Sequence, residues 1–270
     1  MDAIYYQVNS FTDHVFGGNP AGVCHLMAWP SDEILQKIAS ENNFSETAYF
    51  TRNSEGTYKL RWFTPTTEVD LCGHATLATA HVLWRHEGET KETITFLTKS
   101  GSLTVTRGEK YLITMNFPSW SARVVPPPPD VKEILSAEPI ACLQARDYLF
   151  EFANEETVRN LKPDILRLAG WSTLGVIATA PGREVDFVSR FFAPRAGIPE
   201  DPVTGSAHCT LIPFWAARLG KTSLHARQVS ARGGELFCEN LGERVKIAGR
   251  AITYLNGVIE VKDSPPAYPV

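Results

Sequence analysis

Two segments of this chain follow the same residue pattern, and this repeat constrains the fold more than any other feature of the sequence. Residues 61–84 read RWFTPTTEVDLCGHATLATAHVLW, and residues 189–215 read SRFFAPRAGIPEDPVTGSAHCTLIPFW. Each segment has an aromatic strand end, a proline two residues after the last phenylalanine, an acidic loop, a glycine-polar-alanine step and an apolar stretch of helical character. The repeat predicts that the 270-residue chain contains a duplicated domain.

The apolar stretches of the two segments, which start near Cys72 and Val203, predict two helices that are apolar nearly all round. Such helices are buried on every side, and these are too short to span a membrane. We therefore expect a curved sheet to wrap around a central helix in each domain. Pro213 lies inside the second helix and predicts a kink or an early break there.

Each repeat places an acidic loop before the N-terminus of its buried helix. Free backbone N–H groups and the helix dipole make such a terminus a binding site for a carboxylate. Two anion-binding helix ends, one from each half, predict a functional site between the halves.

Turn signals and composition set the expected domain boundaries. We expect an N-terminal domain over residues 1–120, a proline-rich linker over 121–129, and a C-terminal domain over 130–255. A last strand around 256–262 is expected to return to the N-terminal domain. The linker contains four consecutive prolines, which form a stiff, extended segment. Other expected helices are SDEILQKIASENN, with Ser31 as its N-cap, and a stretch from Glu155 to Ala169.

Composition narrows the classes of function. The chain has 26 basic and 30 acidic side chains, a net charge of −4, and no basic block of the kind that tracks phosphates, so we expect no nucleic-acid partner. It lacks a signal-peptide pattern and any run of about 18 apolar residues, so we expect a cytoplasmic protein without a membrane partner. Five cysteines without a CxxC pair argue against disulfides and structural zinc.

Glu46 is the first candidate for acid–base chemistry. It lies in FSETAYF, an apolar context between a predicted helix and a predicted strand. Burial beside Phe44 and Tyr49 would raise the pKa of its carboxyl toward neutrality, as a general acid or base requires. The alternative is a capping or solvated glutamate. The repeat aligns Glu46 with Leu174, which is not an acid.

His74 and Cys72 flank Gly73 at the first predicted helix N-terminus. The helix dipole disfavours imidazolium, so a neutral His74 can donate a hydrogen bond to a substrate oxygen or pass a proton. The alternative is a core histidine satisfied by backbone. Cys72 is either a thiol that accepts protons or a buried structural residue. Its counterpart, Thr204, is not a thiol.

Asp201 and Ser206 are the corresponding candidates in the second half. Asp201 precedes Pro202, and its alternative role is an N-cap. Ser206 aligns with His74. The small residues of TGSA allow a carboxylate to approach the backbone amides closely.

At these motifs the chain resembles the phenazine biosynthesis-like (PhzF-like) isomerase family of the diaminopimelate epimerase superfamily. The matching segments are FTDHVFGGNPAGV, SETAYF, RWFTPTTEVDLCGHATLA and FFAPRAGIPEDPVTGSAH. They occur in the family's order and cover both halves.

The resemblance implies an α+β fold of two pseudo-symmetric domains, each a curved mixed sheet around a central helix, with the active site in the cleft between them. It implies a cofactor-independent isomerase, a homodimer, that moves a proton within a small cyclic or unsaturated carboxylic acid. Glu46 would be the general acid/base, and His74, Asp201 and Ser206 would complete the catalytic set. The expected substrate-binding residues are Ser45, Gly73, His74, Gly205, Ser206 and Ala207, and no metal or other cofactor is expected.

Two other functions remain open from the sequence. One is an amino-acid racemase or epimerase that depends on Cys72, although the epimerase branch uses two cysteines and the second is absent here. The other is a non-catalytic binding or scaffold protein on an isomerase fold. The mismatches between the repeats favour proton transfer by one base over a two-base racemase.

Overall fold

Most of the secondary structure in the first half of the chain is β-strand. The computed structural model describes residues 2–53 and 56–261. The strands of this half are β1 (Asp2–Ser10), β2 (Asn19–His25), β3 (Thr47–Arg52), β4 (Tyr58–Phe63), β5 (Glu68–Val69), β6 (Thr93–Thr98), β7 (Gly101–Arg107) and β8 (Ile113–Pro118). Its helices are α1 (Asp32–Asn42) and α2 (Gly73–Arg85), with a short 3-10 helix at Glu109–Tyr111.

The second half contains the remaining elements. Its strands are β9 (Arg123–Val124), β10 (Ala141–Gln144), β11 (Tyr148–Glu151), β12 (Val176–Pro181), β13 (Phe187–Ala193), β14 (Ile198–Asp201), β15 (Ser223–Gln228), β16 (Gly234–Asn240), β17 (Arg244–Gly249) and β18 (Ala251–Glu260). Its helices are α3 (Val131–Leu135), α4 (Glu155–Asn160), α5 (Ile165–Leu168) and α6 (Gly205–Leu219), with a 3-10 helix at Pro194–Ala196.

The two halves share one pattern of strand pairing. In the first, β1 and β2 are antiparallel, β2 and β3 parallel, β3 and β4 antiparallel, and β4 and β6 parallel. In the second, β10 and β11, β11 and β12, β12 and β13, and β13 and β15 repeat these orientations in the same order. Antiparallel strands β6 to β8 and β15 to β17 complete the two sheets. The halves are therefore pseudo-symmetric in topology as well as in sequence.

Two further pairings of the described strands join the halves. β8 pairs with β17, and β18 runs antiparallel to β1 along its whole length. Within the second half, β9 pairs with β10. The expected returning strand over 256–262 thus corresponds to the longer β18, although position 262 lies outside the described residues. The domain boundaries themselves stay a prediction.

Each sheet packs against one buried central helix. Nine of the thirteen residues of α2 are buried, from His74 to Leu83, and α6 is buried on most of its surface. Helix α2 packs on β1, β2, β3 and β8, and α6 packs on β15, β16 and β17. The predicted α+β architecture, with a mixed sheet around a central helix in each half, is confirmed. No helix within residues 2–53 and 56–261 is long and apolar enough to cross a membrane.

Two local predictions were wrong. Helix α6 runs unbroken from Gly205 to Leu219 with Pro213 inside it, so the predicted early break does not occur, whereas the alternative, a kink, stays a prediction. Proline cannot donate to the carbonyl four residues earlier, which is that of Cys209, and the backbone N–H of Trp120 donates to that oxygen instead, at 2.9 Å. The stretch from Glu155 to Ala169 forms two short helices, α4 and α5, because Pro163 lies between them.

Strand register also changes the sequence alignment at one important position. Thr47 pairs with Phe63 in the first half, and Val176 pairs with Phe192 in the second. The residue that precedes Val176, and therefore matches Glu46, is Gly175 rather than Leu174. A Cβ atom added to Gly175 would lie 2.2 Å from Cζ of Phe191, so the phenylalanine ring leaves no room for any side chain.

Candidate active site between two helix N-termini

The N-termini of α2 and α6 meet at their first residues. A Cβ atom built on Gly73 would lie 3.6 Å from Cα of Gly205, which is ordinary van der Waals distance. Both cap residues, Cys72 and Thr204, have extended backbone conformations, so the chain enters both helices in the same way. The backbone N–H groups and positive dipole ends of two helices are thereby concentrated in one small region.

Glu46 lies beside the N-terminus of α2, in the connection between α1 and β3. Its Oε2 is 3.5 Å from Nε2 of His74, and 16 % of its side chain is exposed. Burial and the nearby charge of Asp201 raise the pKa of the Glu46 carboxyl to about 8, against a lowering by a hydrogen bond with Cys72. Glu46 is therefore mostly a neutral carboxylic acid at pH 7, close to the point at which it ionises.

His74 is the second residue of α2 and is buried. Burial lowers the pKa of its imidazole to about 3, so the ring is neutral at physiological pH. Nδ1 lies 3.5 Å from Sγ of Cys72, whereas Nε2 is buried without a hydrogen-bond partner among the described residues. Ser10 Oγ fixes the backbone by donating to the carbonyl oxygen of His74 at 2.7 Å. A ligand oxygen beside Glu46 would complete the bonding of Nε2.

Asp201 lies beside the N-terminus of α6 and is tightly bound. Asn19 Nδ2 donates to its Oδ1 at 2.8 Å, and Thr204 Oγ1 donates to its Oδ2 at 2.5 Å. Burial raises the pKa of the Asp201 carboxyl to about 6, although both hydrogen bonds lower it. The opposing effects leave Asp201 largely ionised at pH 7, unlike Glu46.

Gln228, at the end of β15, holds this second network in place. Its Oε1 accepts the backbone N–H of Thr204 at 2.9 Å, and its Nε2 donates to the carbonyl of Asp201 at 2.7 Å and to Thr204 Oγ1 at 3.1 Å. Asn19 also donates to the carbonyl of Val203 at 2.9 Å. Because Asn19 belongs to β2, this bond connects the first half of the chain directly to the loop that precedes α6.

The structure thus brings the predicted site residues of both halves together. Glu46 and His74 are in contact, Asp201 is electrostatically coupled to Glu46, and Gly73 faces Gly205 across a gap that an added Cβ atom would fill. Ser206 and the buried Ala207 follow Gly205 in the first turn of α6, and the half-buried Ser45 precedes Glu46. The predicted set therefore occupies one region of the molecule, as a shared site requires.

Three residues of the site were missed by sequence reasoning. Asn19 was noted only as part of the motif FTDHVFGGNPAGV, Thr204 only as the counterpart of Cys72, and Gln228 gave no signal in its strand. For Asn19 the available signal was its position in GGNPAG, a segment that already carried the family resemblance. For Gln228 only the tertiary contact with the α6 N-terminus reveals the role.

All five cysteines are buried and free. Burial raises the pKa of Cys72 well above its usual value, so this residue is a thiol at neutral pH. Glu46, Cys72 and His74 each offer one metal-ligand atom, and these atoms lie within 4.8 Å of one another. The three residues could hold a metal ion, and the expectation that no metal is needed stays a prediction.

The fold and this arrangement define an isomerase- or epimerase-like protein. The model of the family described as phenazine biosynthesis-like protein matches residues 8–257. A Pseudomonas aeruginosa protein named as an uncharacterized isomerase is 48% identical over 262 residues, which cover 97% of this chain and all of that protein. The chain therefore belongs to the phenazine biosynthesis-like (PhzF) family.

Solved structures show the same relationship. A PhzF family protein from Enterococcus faecalis superposes with a TM-score of 0.94 at 44% identity, covering 97% of this chain and all of that one. A hydroxyproline epimerase from Agrobacterium vitis shares the fold alone, with a TM-score of 0.63 at 10% identity over 96% of this chain and 92% of its own. The isomerase names of the relatives support the isomerase class for this chain.

Proposed function

We propose that this protein is a cofactor-independent isomerase that moves a proton within a small cyclic or unsaturated carboxylic acid. Glu46 is the general acid and base, and the reaction takes place where the N-termini of α2 and α6 meet. The observation that carries the proposal is the position of Glu46, a largely buried carboxyl 3.5 Å from the unpartnered Nε2 of His74. A carboxyl with a pKa near neutrality can both accept and return a proton at physiological pH.

The helix N-termini supply the binding site for the substrate carboxylate. Gly73 and Gly205 allow the two backbones to approach closely, because neither carries a Cβ atom in the space between them. Removal of a proton next to a carboxylate, or along an allylic system, places negative charge on oxygen. Backbone N–H groups that already point at this oxygen stabilise the charge without reorganisation, as oxyanion-hole donors do.

The other site residues have complementary roles in this proposal. Neutral His74 donates from Nε2 to the substrate, and the Ser206 hydroxyl adds a donor at the α6 end. Asp201, held by Asn19 and Thr204, keeps its negative charge and holds the pKa of Glu46 high. Glu46 takes a proton from one carbon and returns it to another carbon of the same delocalised anion.

The second half supports a single base at the Glu46 position. The matching position is Gly175, where the ring of Phe191 excludes a side chain. Cys72 is matched by Thr204, so the two halves do not carry a pair of thiols. This asymmetry favours proton transfer between two carbons over stereochemical inversion by two facing thiols.

The test is proton exchange in deuterium oxide. The protein is incubated with a panel of cyclic, unsaturated, aromatic-precursor and amino acids, and deuterium incorporation and double-bond migration are followed by NMR. We expect exchange with at least one acid and a loss of about 100-fold to 10,000-fold in Glu46→Gln. Glu41→Gln, an exposed glutamate of α1, is the matched control and should exchange at the wild-type rate.

A thermal-shift screen with the same acids separates catalysis from binding. Glu46→Gln keeps both helix N-termini and should still be stabilised by the acid that the wild type isomerises. Wild-type exchange rates in Glu46→Gln would refute the proposed base. If no acid raises the melting temperature of the wild type, the non-catalytic scaffold becomes the better account.

A further inference from the structure

Arg146 lies at the N-terminus of α6 although it is remote in sequence from every predicted site residue. It occupies the connection between β10 and β11, and its Nη2 donates to Oγ of Ser206 at 3.2 Å. In the part of the chain that the structure describes, no other arginine or lysine side chain hydrogen-bonds to one of the predicted site residues. About two-fifths of its side chain, 42 %, is exposed.

The guanidinium of Arg146 is held from two sides. Its Nε and Nη2 each lie 3.2 Å from Oδ2 of Asp147, whose side chain is 1% exposed. Its Cζ lies 4.9 Å from the ring centre of Trp120, which is tethered to α6 through the carbonyl of Cys209. These contacts use Nε and Nη2. They leave both N–H groups of Nη1 without a hydrogen-bond partner among the described residues.

The charge of the region explains what this arrangement would bind. Asp147 is buried behind the guanidinium, so the partly exposed side of Arg146 presents positive charge next to the α6 dipole. The Ser206 hydroxyl and the two free N–H groups of Nη1 are donors with the geometry that a carboxylate accepts. A carboxylate here would lie at the α6 end of the site, whereas Glu46 lies at the α2 end.

The matching connection of the first half supplies no equivalent of this cation. It lies between β1 and β2 and contains residues 11–18, FTDHVFGG, without lysine or arginine. The guanidinium that reaches this connection, that of Arg232, donates to the carbonyl oxygens of Gly17 and Gly18. A ligand with two carboxylates would therefore bind in one direction only, with its second carboxylate toward Arg146. Such a ligand would place its intervening carbons between the helix ends, within reach of Glu46.

We propose that Arg146, Ser206 and the N-terminus of α6 form a subsite for a second carboxylate, so that the preferred substrates are dicarboxylic acids. The subsite rests on the isomerase function proposed above and narrows its substrate class. Arg146 acts in substrate selection and takes no part in the proton transfer itself.

Binding of paired acids tests this subsite. Crotonate and glutaconate are both unsaturated acids that differ by one carboxylate, and their affinities are measured by isothermal titration calorimetry. We expect the wild type to bind glutaconate about 10-fold to 100-fold more tightly than crotonate. Arg146→Met should remove this preference while crotonate affinity stays unchanged, and Arg146→Lys, which retains the charge, should keep part of it.

The matched control is Arg183→Met. Arg183 also forms an exposed ion pair, at 2.8 Å from Glu156, and its replacement changes the net charge equally. It should keep the full preference for glutaconate. In the wild type the preference should also weaken as salt is raised, because the second contact is between full charges near solvent; this measurement needs no variant to fold.

Two results would overturn the subsite. One is equal affinity, or no affinity, of the wild type for the two acids. The other is an Arg146→Met variant that keeps the wild-type preference or weakens both acids equally. Neither result bears on Glu46, because deuterium exchange that depends on Glu46 would still support the isomerase. If deuterium exchange did not depend on Glu46 while the glutaconate preference remained, the isomerase proposal would fail and the subsite would stand.

Discussion

The two helix N-termini have the same backbone geometry, yet the carboxyls beside them differ in their hydrogen bonding. At α6, both oxygens of Asp201 accept short hydrogen bonds, and Gln228 fixes the cap residue Thr204 behind them. At α2, Oε2 of Glu46 lies 3.5 Å from Nε2 of the neutral His74, and this nitrogen has no hydrogen-bond partner among the described residues. The Asp201 carboxyl is therefore fixed by hydrogen bonds, whereas the Glu46 carboxyl faces a nitrogen that still lacks a partner among the described residues.

This difference shows how two halves with the same fold come to hold carboxyls with different pKa values. Hydrogen bonds to a carboxylate favour its ionised form, whereas burial without such bonds favours the neutral acid. Burial raises the pKa of both carboxyls, to about 6 for Asp201, where two hydrogen bonds oppose it, and to about 8 for Glu46, where the charge of Asp201 adds to it. Between these values Asp201 is largely ionised and Glu46 largely protonated.

The largest expected effect on stability is the pH dependence due to Glu46. The pKa of this carboxyl is higher in the folded protein, about 8, than in the unfolded chain, so its contribution to stability is full below the unfolded pKa and is lost as pH rises through 8. We expect Glu46→Gln to gain roughly 3 kcal/mol relative to wild type between pH 5 and pH 8. Chemical unfolding at a series of pH values measures this, with Glu41→Gln as the control.

Asp201→Asn tests whether the charge of one carboxyl sets the pKa of the other. Removal of the Asp201 charge should lower the pKa of the Glu46 carboxyl, because that charge is one of the two causes of its elevation. Carbon-13 NMR of labelled glutamate side chains reports the midpoint directly. A midpoint near 8 that is unchanged in Asp201→Asn would mean that burial alone sets the value.

Gln228→Ala tests whether the network at α6 is rigid. It leaves the N–H of Thr204 and the carbonyl of Asp201 without their partner, so we expect the free energy of unfolding to fall by roughly 2 to 3 kcal/mol. Gln36→Ala is the matched control, since Gln36 makes one bond, to the carbonyl of Thr64. Equal losses in the two variants would contradict a special role for Gln228.

Gly175→Ala tests why the second half has no counterpart of Glu46. The added methyl group would meet the ring of Phe191, and overpacking of this kind lowers stability by about 1 to 3 kcal/mol. A double variant, Gly175→Ala with Phe191→Leu, should lose less than the sum of the two single variants. Thermal and chemical unfolding measure both; strict additivity would show that the two positions do not compete for space.

The smallest effect is expected for Cys72→Ser. The side chain stays small and can still bond to Nδ1 of His74, so we expect a loss of less than about 1 kcal/mol in stability and little change in exchange rate. The Cys72-dependent racemase makes the opposite prediction, a loss of activity as large as that in Glu46→Gln. Parallel exchange assays on the two variants decide between the functions.

The sequence marks the candidate site residues more clearly than it marks the residues that hold them in place. The repeat and the family motifs mark the segments that contain Glu46, His74, Asp201 and Ser206. These candidates could therefore be found from the sequence around them. Asn19 and Gln228 approach Asp201 and Thr204 from strands far away in the chain, and a side chain in a strand gives no sign of what it will contact. The assignment of Leu174 as the match of Glu46 failed by one residue, because register is set by strand pairing rather than by residue spacing.

The duplication, the two buried helices and the polar residues at their starts follow from the amino-acid sequence alone, because periodicity and composition are local properties of the chain. Three contacts depend on the tertiary structure: Gly73 lies opposite Gly205, Trp120 binds the carbonyl freed by Pro213, and Arg146 reaches Ser206. The charge state of each carboxyl also depends on the tertiary structure. A pKa depends on burial and on neighbours in space, so identical helix ends can hold one acid bonded and charged and the other neutral.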